Sequence, residues 1–501
     1  MTAGFKKWVE LSADALGAFV VLASDDYFAP KENLLKPSAP VFLPHEYTDK
    51  GKWMDGWESQ RRREPGSDFA VIRLGAPGRV RGVVVDTTHF KGNAPQRISL
   101  EGIDARYDAT PAELRDSKGW FELVPLSEVK PDFPNPFELK ASSARVTHVR
   151  LNIHPDGGVA RLRVYGEVEA VDRTFWSSGS VDLGAVENGG TVAAVSDEFF
   201  GPPSNMLLPG RGVNMGDGWE TKRRRTPGSD WTVVKLARRG VIERVELDTH
   251  FFKGNAPQAT LLEAIDAPGM NADELESRLR SPTGWSVLVD RTALVQHRRH
   301  QLEPSRPMVA THVRVHIFPH GGVNRLRLFG HAVDSPSEAR AREVLHALGE
   351  VEAGSLFRSF CGSSSWVTGM LARRPFSSVR AMFLAADELW WSLSKQDWLE
   401  AFAAHPRIGE KTDAKWSKGE QRAVDGADVK LLERLVTLNA QYFEKFGFIY
   451  IVCATGKSAG EMLSILEERI ERSSAEELEA AAREQAKITR LRIEKWLREQ
   501  R

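Results

Sequence analysis

The chain has 501 residues, enough for roughly three domains. Its 41% apolar and 27% charged residues are those of a globular protein. Lys plus Arg and Asp plus Glu are equal at 68 each, so no overall charge calls for a nucleic acid or an acidic membrane as partner.

Near the start, Lys6-Lys7 followed by the apolar stretch Ala15–Ala23 has the outline of a weak signal peptide. An internal counterpart argues against that reading. Val20–Asp25 (VVLASD) recurs as Val192–Asp197 (VAAVSD), deep inside the chain. A segment that recurs internally is expected to belong to the fold. No apolar run reaches the ~20 residues needed to span a bilayer.

Three further matches follow in the same order. Asp55–Asp68 (DGWESQRRREPGSD) and Asp217–Asp230 (DGWETKRRRTPGSD) are identical at eleven of fourteen positions. Phe90–Gln96 (FKGNAPQ) returns unchanged as Phe252–Gln258, at the same offset of 162 residues. Pro155–Arg163 (PDGGVARLR) matches Pro319–Arg327 (PHGGVNRLR). Collinear matches of this kind mean one domain written twice. Two units of this length are full domains, not a solenoid.

Within each copy the pattern is β. Asp68–Leu74, Val80–Val85, Val146–Ile153 and Leu162–Tyr165 alternate apolar and polar residues, and Ala76-Pro77-Gly78 and Asp156-Gly157-Gly158 read as turns between strands. Short strands with regular turn signals predict a sandwich or jelly roll. A short helix is expected at Pro111–Asp116.

Arg61-Arg62-Arg63 and Arg223-Arg224-Arg225 offer planar forks for a carboxylate or ureido oxygen. The plainer alternative is a solvated strand edge. His89, His154, His250, His316 and His320 lie at or near the repeated motifs and suit acid-base work near neutral pH, with a structural histidine as the alternative for each.

The combination GWE..RRR.PGSD, DT..FKGN and PDGG.ARLR.YG, present twice, resembles allantoicase over residues 10–333. The resemblance implies two tandem all-β jelly-roll, galactose-binding-like repeats, spanning 1–171 and 172–333. It also implies hydrolysis of allantoate to ureidoglycolate and urea. Candidate site residues are Glu58, Arg62, His89, Lys91, His154 and Asp156 in the first copy. Glu220, Arg224, His250 and Lys253 are the candidates in the second. A divalent metal is left open. The copies disagree where chemistry is expected: Thr88-His89 against His250-Phe251, His154 against Phe318, and Asp156 against His320. A single site in the first copy and a site between copies both remain open. The competing reading makes these repeats a ligand- or carbohydrate-binding module only.

Beyond a linker at 334–340, residues 341–501 change character. Arg340–Phe360, Ala381–Ala404, Asp428–Glu444, Ala459–Glu471 and Ala475–Glu499 have helical apolar spacing and predict an all-α helical bundle. Trp366-Val367 and Arg374-Pro375-Phe376 are placed in an early connection. Ser417-x-x-Glu420 is also a capping box, and His405 follows a helix end. Arg492 shares a helical line with Ile488 and Trp496, where a buried Arg calls for an anionic partner. The chain's two cysteines, Cys361 and Cys453, lie here without CxxC spacing, which supports neither a metal nor a redox motif and suits a reducing, cytoplasmic setting.

The ordered motifs HP..G, S..EQ, FGF.YIV and KIT.LR resemble OHCU decarboxylase, which acts on 2-oxo-4-hydroxy-4-carboxy-5-ureidoimidazoline. The resemblance places the catalytic pair on His405 and Glu420. It places substrate contacts on Pro406, Gln421, Phe446, Phe448 and Arg492, with Arg490 a weaker choice than Arg492. It implies a decarboxylation to (S)-allantoin without a cofactor. The expected partners are small-molecule ureides, with no nucleic acid or membrane, and other copies of the chain in a homo-oligomer.

Overall fold

The computed structural model describes residues 4–169, 179–405, 429–454 and 459–500. The chain divides into two compact units that meet in sequence at Ala332 and Val333. The first holds both copies of the repeat, each an antiparallel β jelly roll.

In the first copy four strands pair with one long strand, Asp68–Asp86. Its first half pairs with Phe19–Ala23 and Arg145–His154, and its second half with Arg161–Val168 and Pro134–Glu138. Arg97–Ile103 and Phe121–Glu128 extend the sheet beyond Arg145–His154. The second copy repeats this plan around Asp230–Asp248. Alternate side chains such as Val149, Leu151 and Ile153 are buried, as a half-buried strand requires, and join Ile72, Val83, Ile98 and Leu162 in one core.

Ala76-Pro77-Gly78 is not the turn expected from its composition. The strand runs through it. The register with Arg145–His154 jumps from Arg73 opposite His148 to Gly78 opposite Val146, so the intervening residues form a bulge. Pro77 needs no amide partner there, and its carbonyl accepts the Glu169 N–H at 2.8 Å. The helix expected at Pro111–Asp116 is present, with Thr110 as its N-cap. Its counterpart Ala272–Arg280 is longer, nine residues against six.

Two repeated motifs owe much of their pattern to the core. The indoles of Trp57 and Trp219 are fully buried and donate to the carbonyls of Asp25 (2.7 Å) and Asp197 (2.9 Å). In the first copy the DGW aspartate, Asp55, pairs with the buried Arg161 of the ARLR motif at 2.6 Å.

The second unit contains eight helices among the described residues: Pro336–Ala347, Glu350–Phe360, Ser364–Ala372, Val379–Ser392, Lys395–Ala403, Val429–Phe446, Ala459–Arg469 and Ser474–Glu499. The last packs against Glu350–Phe360, Val379–Ser392 and Lys395–Ala403. Sequence expectations need four corrections here. The linker is helical from Pro336, because Ser335 caps that helix and Glu338 reciprocates. Arg340–Phe360 is two helices. Arg374 takes the carbonyls of Leu345, His346 and Leu348 and ends the first of them. Ala381–Ala404 is broken by the Ser394/Asp397 capping box. Trp366-Val367 lies on the helix Ser364–Ala372, with the Trp366 indole donating to the Ala386 carbonyl at 3.0 Å.

Candidate functional site

Three of the repeated motifs meet beside the first sheet. Trp57–Glu58 pairs with Gly158–Val159, and the Gly158 N–H donates to the Asn93 carbonyl at 2.7 Å. Phe90 fills the space between Gly56 and Gly158, both of which need to be glycine because a Cβ on either would overlap its ring. GWE, FKGN and DGG are therefore one packing unit that fixes where Glu58, His89, Lys91 and Asn93 stand.

Glu58, His89, Lys91 and Asn93 line a cavity of about 410 Å³ together with Phe28, Phe42, Lys52 and Met54. Glu58 accepts a hydrogen bond from Asn93 Nδ2 at 2.8 Å. Burial pushes its pKa above the usual carboxylate value, partly opposed by that hydrogen bond. His89 sits at φ 72°, held by its N–H donating to Asp132 Oδ1 at 2.8 Å. Its Nε2 lies 3.3 Å from the Pro40 carbonyl. A carbonyl only accepts, so in the neutral ring Nε2 carries the hydrogen and Nδ1 keeps the lone pair. Lys91 Nζ lies 3.7 Å from Asp132 Oδ2.

The other first-copy candidates lie outside the cavity lining. Arg62 pairs with Asp68 at 2.9 Å, and its backbone N–H donates to Asp156 Oδ2 at 2.7 Å. Arg62 and Asp156 thus tie the arginine segment to the Asp-Gly-Gly turn, while Arg61 and Arg63 are exposed. His154 precedes the cis-Pro155, with Nε2 3.4 Å from Ser99 Oγ. Burial lowers its pKa, with Arg97 adding to the effect.

The second copy keeps the frame and changes the lining. Glu220 accepts from Asn255 at 2.6 Å, and Phe252 packs on Gly218 and Gly322. Arg224 pairs with Asp230 at 2.9 Å. Phe251 (φ 68°) replaces His89, and its N–H donates to His297 Nδ1 instead of a carboxylate. His250 stacks on His297 with ring centroids 4.2 Å apart, and Lys253 adds positive charge beside it.

Sequence reasoning passed over Asn93, Phe28, Phe42 and Lys52. Asn93 was inside a quoted motif. The signal for Phe42 and Lys52 was a change of offset: Ser24 and Ser196 are 172 apart, Asp55 and Asp217 only 162. The first copy carries ten more residues there. They include the hairpin Tyr47–Thr48/Gly51–Lys52, which supplies one wall of the cavity. Among the described residues, no three His, Cys, Asp or Glu side chains gather as metal ligands.

In the helical unit, His405 follows Lys395–Ala403, its N–H donating to the Phe402 carbonyl at 3.1 Å. Pro406, Glu420 and Gln421 lie outside the described residues. Arg492 Nη1 is 3.4 Å from the carbonyls of both Ser359 and Phe360. Gly362, just beyond, packs against Ala401 and Ala404 in the turn that leads to His405. One short segment therefore connects Arg492 to His405. Arg490 instead pairs with Asp387 at 3.2 Å and approaches Glu494 at 3.7 Å.

Phe448 is buried against Phe402, with ring centroids 5.5 Å apart, and Phe446 lies 6.1 Å from Phe448. Behind them Tyr442 donates to Glu477. Glu477 also accepts from Arg469 Nε at 2.8 Å, and Arg469 holds the Ile451 carbonyl at 2.8 Å.

Residues 9–169 and 181–333 match the allantoicase repeat family model, and residues 346–494 match that of OHCU decarboxylase. A probable allantoicase 1 of Burkholderia mallei is 44% identical over 327 residues, 65% of this chain and 95% of that protein. A crystal structure of allantoicase from Saccharomyces cerevisiae is 35% identical with a TM-score of 0.55, over 65% of this chain and 93% of that one. A crystal structure of OHCU decarboxylase in the presence of (S)-allantoin is 40% identical over 28% of this chain and 94% of that one, with a TM-score of 0.26.

Proposed function

The chain belongs to the allantoicase family and continues into an OHCU decarboxylase domain, and from that premise we propose that it is a bifunctional enzyme of ureide breakdown. Residues 1–333 hydrolyse allantoate to ureidoglycolate and urea. Residues 341–501 decarboxylate 2-oxo-4-hydroxy-4-carboxy-5-ureidoimidazoline to (S)-allantoin. The two reactions are not consecutive, because allantoin must be ring-opened between them. The same reading puts the enzyme in the cytoplasm, in keeping with two buried cysteines, Cys361 and Cys453, that form no disulfide.

The hydrolase reading is carried by the cavity that gathers Glu58, His89 and Lys91. Allantoate has one carboxylate and two ureido groups on a single carbon. Hydrolysis breaks one carbon–nitrogen bond and forms a carbon–oxygen bond to water. The departing urea nitrogen takes up a proton, and the water gives one up. Glu58, kept protonated to higher pH by burial, donates to the leaving nitrogen. His89, with a lone pair on Nδ1, takes the proton from water.

The decarboxylase reading rests on the motif order and on the segment shared by Arg492 and His405. Loss of CO₂ leaves electrons that delocalise into the neighbouring amide system, so no cofactor is needed as an electron sink. Arg492 orients the substrate, Phe446 and Phe448 face its ring, and His405 with Glu420 delivers the proton that sets the stereochemistry.

One experiment tests both halves. In the full chain, Glu58→Gln is expected to abolish urea release from allantoate while (S)-allantoin formation persists. His405→Ala is expected to do the reverse. Equal loss of both activities by either variant, with the fold intact, would overturn the two-site reading. Absence of urea from the unmodified chain under varied divalent metals would favour a binding module.

A further inference from the structure

We propose that Lys52 anchors the substrate carboxylate, and that the hairpin carrying it confines carboxylate-bearing ureides to the first copy. The proposal rests on the hydrolase reading above and deepens it by naming a specificity residue.

Among the described residues, the cavity lining has two ammonium groups, those of Lys52 and Lys91. Lys91 stands 3.7 Å from Asp132, so part of its charge is already answered. Lys52 makes no carboxylate ion pair among the described residues, and its Nζ lies 4.6 Å from the centroid of the Phe42 ring. An ammonium over an aromatic face is steered by the ring but keeps its full charge for an anion. Lys52 is therefore the lining cation with charge to give.

The rest of the lining suits the remainder of such a substrate. Among the described residues, Glu58 is the only acid that lines it. Its raised pKa favours the neutral acid, which does not repel a second carboxylate. Planar, neutral ureido groups match the faces of Phe42 and His89, whose rings are 5.6 Å apart.

The second copy separates Lys52 from the shared frame. It retains Glu220, Lys253 and Asn255, but it is ten residues shorter between the opening motif and DGW. The Lys52 hairpin has no counterpart there. The copy that keeps the Glu–Asn pair without the hairpin lacks the proposed anchor.

The test is steady-state urea release from allantoate by the intact chain carrying Lys52→Met or Lys52→Arg. Lys52→Met is expected to raise KM at least fivefold with kcat within threefold of the unmodified chain. Lys52→Arg should recover most of the lost KM. Unfolding midpoint and (S)-allantoin formation should not change. A KM shift below fivefold, or a fall in kcat alone, overturns the anchor. If Glu58→Gln still abolishes urea release in that case, the hydrolase reading stands without it. If Glu58→Gln leaves urea release intact, the hydrolase reading itself has failed.

Discussion

Gly158 and Gly322 are structural twins, and only one of them stands beside the proposed cavity. Each packs its α-carbon on an aromatic ring, Phe90 or Phe252, and a Cβ on either would overlap that ring. Alanine must therefore push the phenylalanine, or the strand pair it supports, out of place. Overpacking of this kind costs about 1–3 kcal/mol, and the matched geometry predicts a similar cost at both positions. The catalytic consequences should differ. Phe90 lies between His89 and Lys91, so displacing it moves two lining residues at once. A shift on the order of 1 Å at a catalytic group lowers a rate about a hundredfold. Gly158→Ala should thus nearly abolish urea release, while Gly322→Ala should leave it within about twofold. Urea denaturation followed by tryptophan fluorescence would establish that both variants are folded and comparably destabilised. If Gly322→Ala lost as much activity as Gly158→Ala, or if Gly158→Ala remained active, the site would not lie in the first copy as argued.

Two other perturbations read the same scaffold. His148 and His312 are buried equivalents whose pKa values burial depresses to about 4, and the Nε2 of each has no partner. The unfolded chain binds these protons near pH 6.5, the folded chain only near 4. Their stability contribution is thus present above pH 6.5 and lost as pH falls from 6.5 to 4, by roughly 3 kcal/mol for each histidine. Replacing His148 with Gln should flatten that acid loss in denaturant titrations at pH 7 and 4.5, and an unchanged slope would refute the assignment. Asp55→Ala should cost about 3–5 kcal/mol by leaving Arg161 buried and unpaired, whereas Asp217→Ala removes acceptors for the Val213 and Asn214 N–H groups and a more distant charge near Arg325, but no contact ion pair among the described residues. Equal unfolding free energies for these two variants would contradict the difference seen between the copies.

The duplication, the β architecture and the helical third were legible in sequence because each rests on periodicity or on literal repetition. The Trp57 and Phe90 motifs look like chemistry in sequence, but much of their pattern serves packing: a buried indole on the Asp25 carbonyl, and a ring seated on two glycines. The arginine triplet also carries structural contacts that its sequence does not reveal. Guanidinium chemistry suits substrate anions, yet Arg62 is committed to Asp68 and its backbone to Asp156. His154 was suggestive by its place in a motif, but the strand carries it toward Ser99. The bulge at Pro77 was illegible because composition marks a turn and only the partner strands show that pairing continues. Helix breaks at Leu348-Gly349 and Leu393-Ser394 depended on capping contacts, one of them from Arg374 on another segment.

The two copies also act as an internal control on what makes the cavity. Both keep the buried tryptophan, the Phe–Gly contact, the Glu–Asn hydrogen bond and a positive φ at positions 89 and 251. Those features belong to the shared frame and cannot distinguish the copies. What distinguishes them is a connected set. Asp55 accepts from Lys36 at 2.7 Å, from the Val41 N–H at 3.1 Å and from Arg161, so one carboxylate ties down the start of the longer loop. That loop then presents the Pro40 carbonyl to His89 and carries Phe42 and Lys52 to the cavity. In the shorter second copy Asp217 turns to the Val213 and Asn214 N–H groups, and Arg325 touches only its backbone carbonyl. Buried without a carboxylate ion pair among the described residues, the Arg325 guanidinium has its pKa pushed down to about 10. The ion pair that looked like a stability feature therefore also holds the loop that builds the site. The copies differ in the length of that loop as much as in the identity of any one candidate side chain.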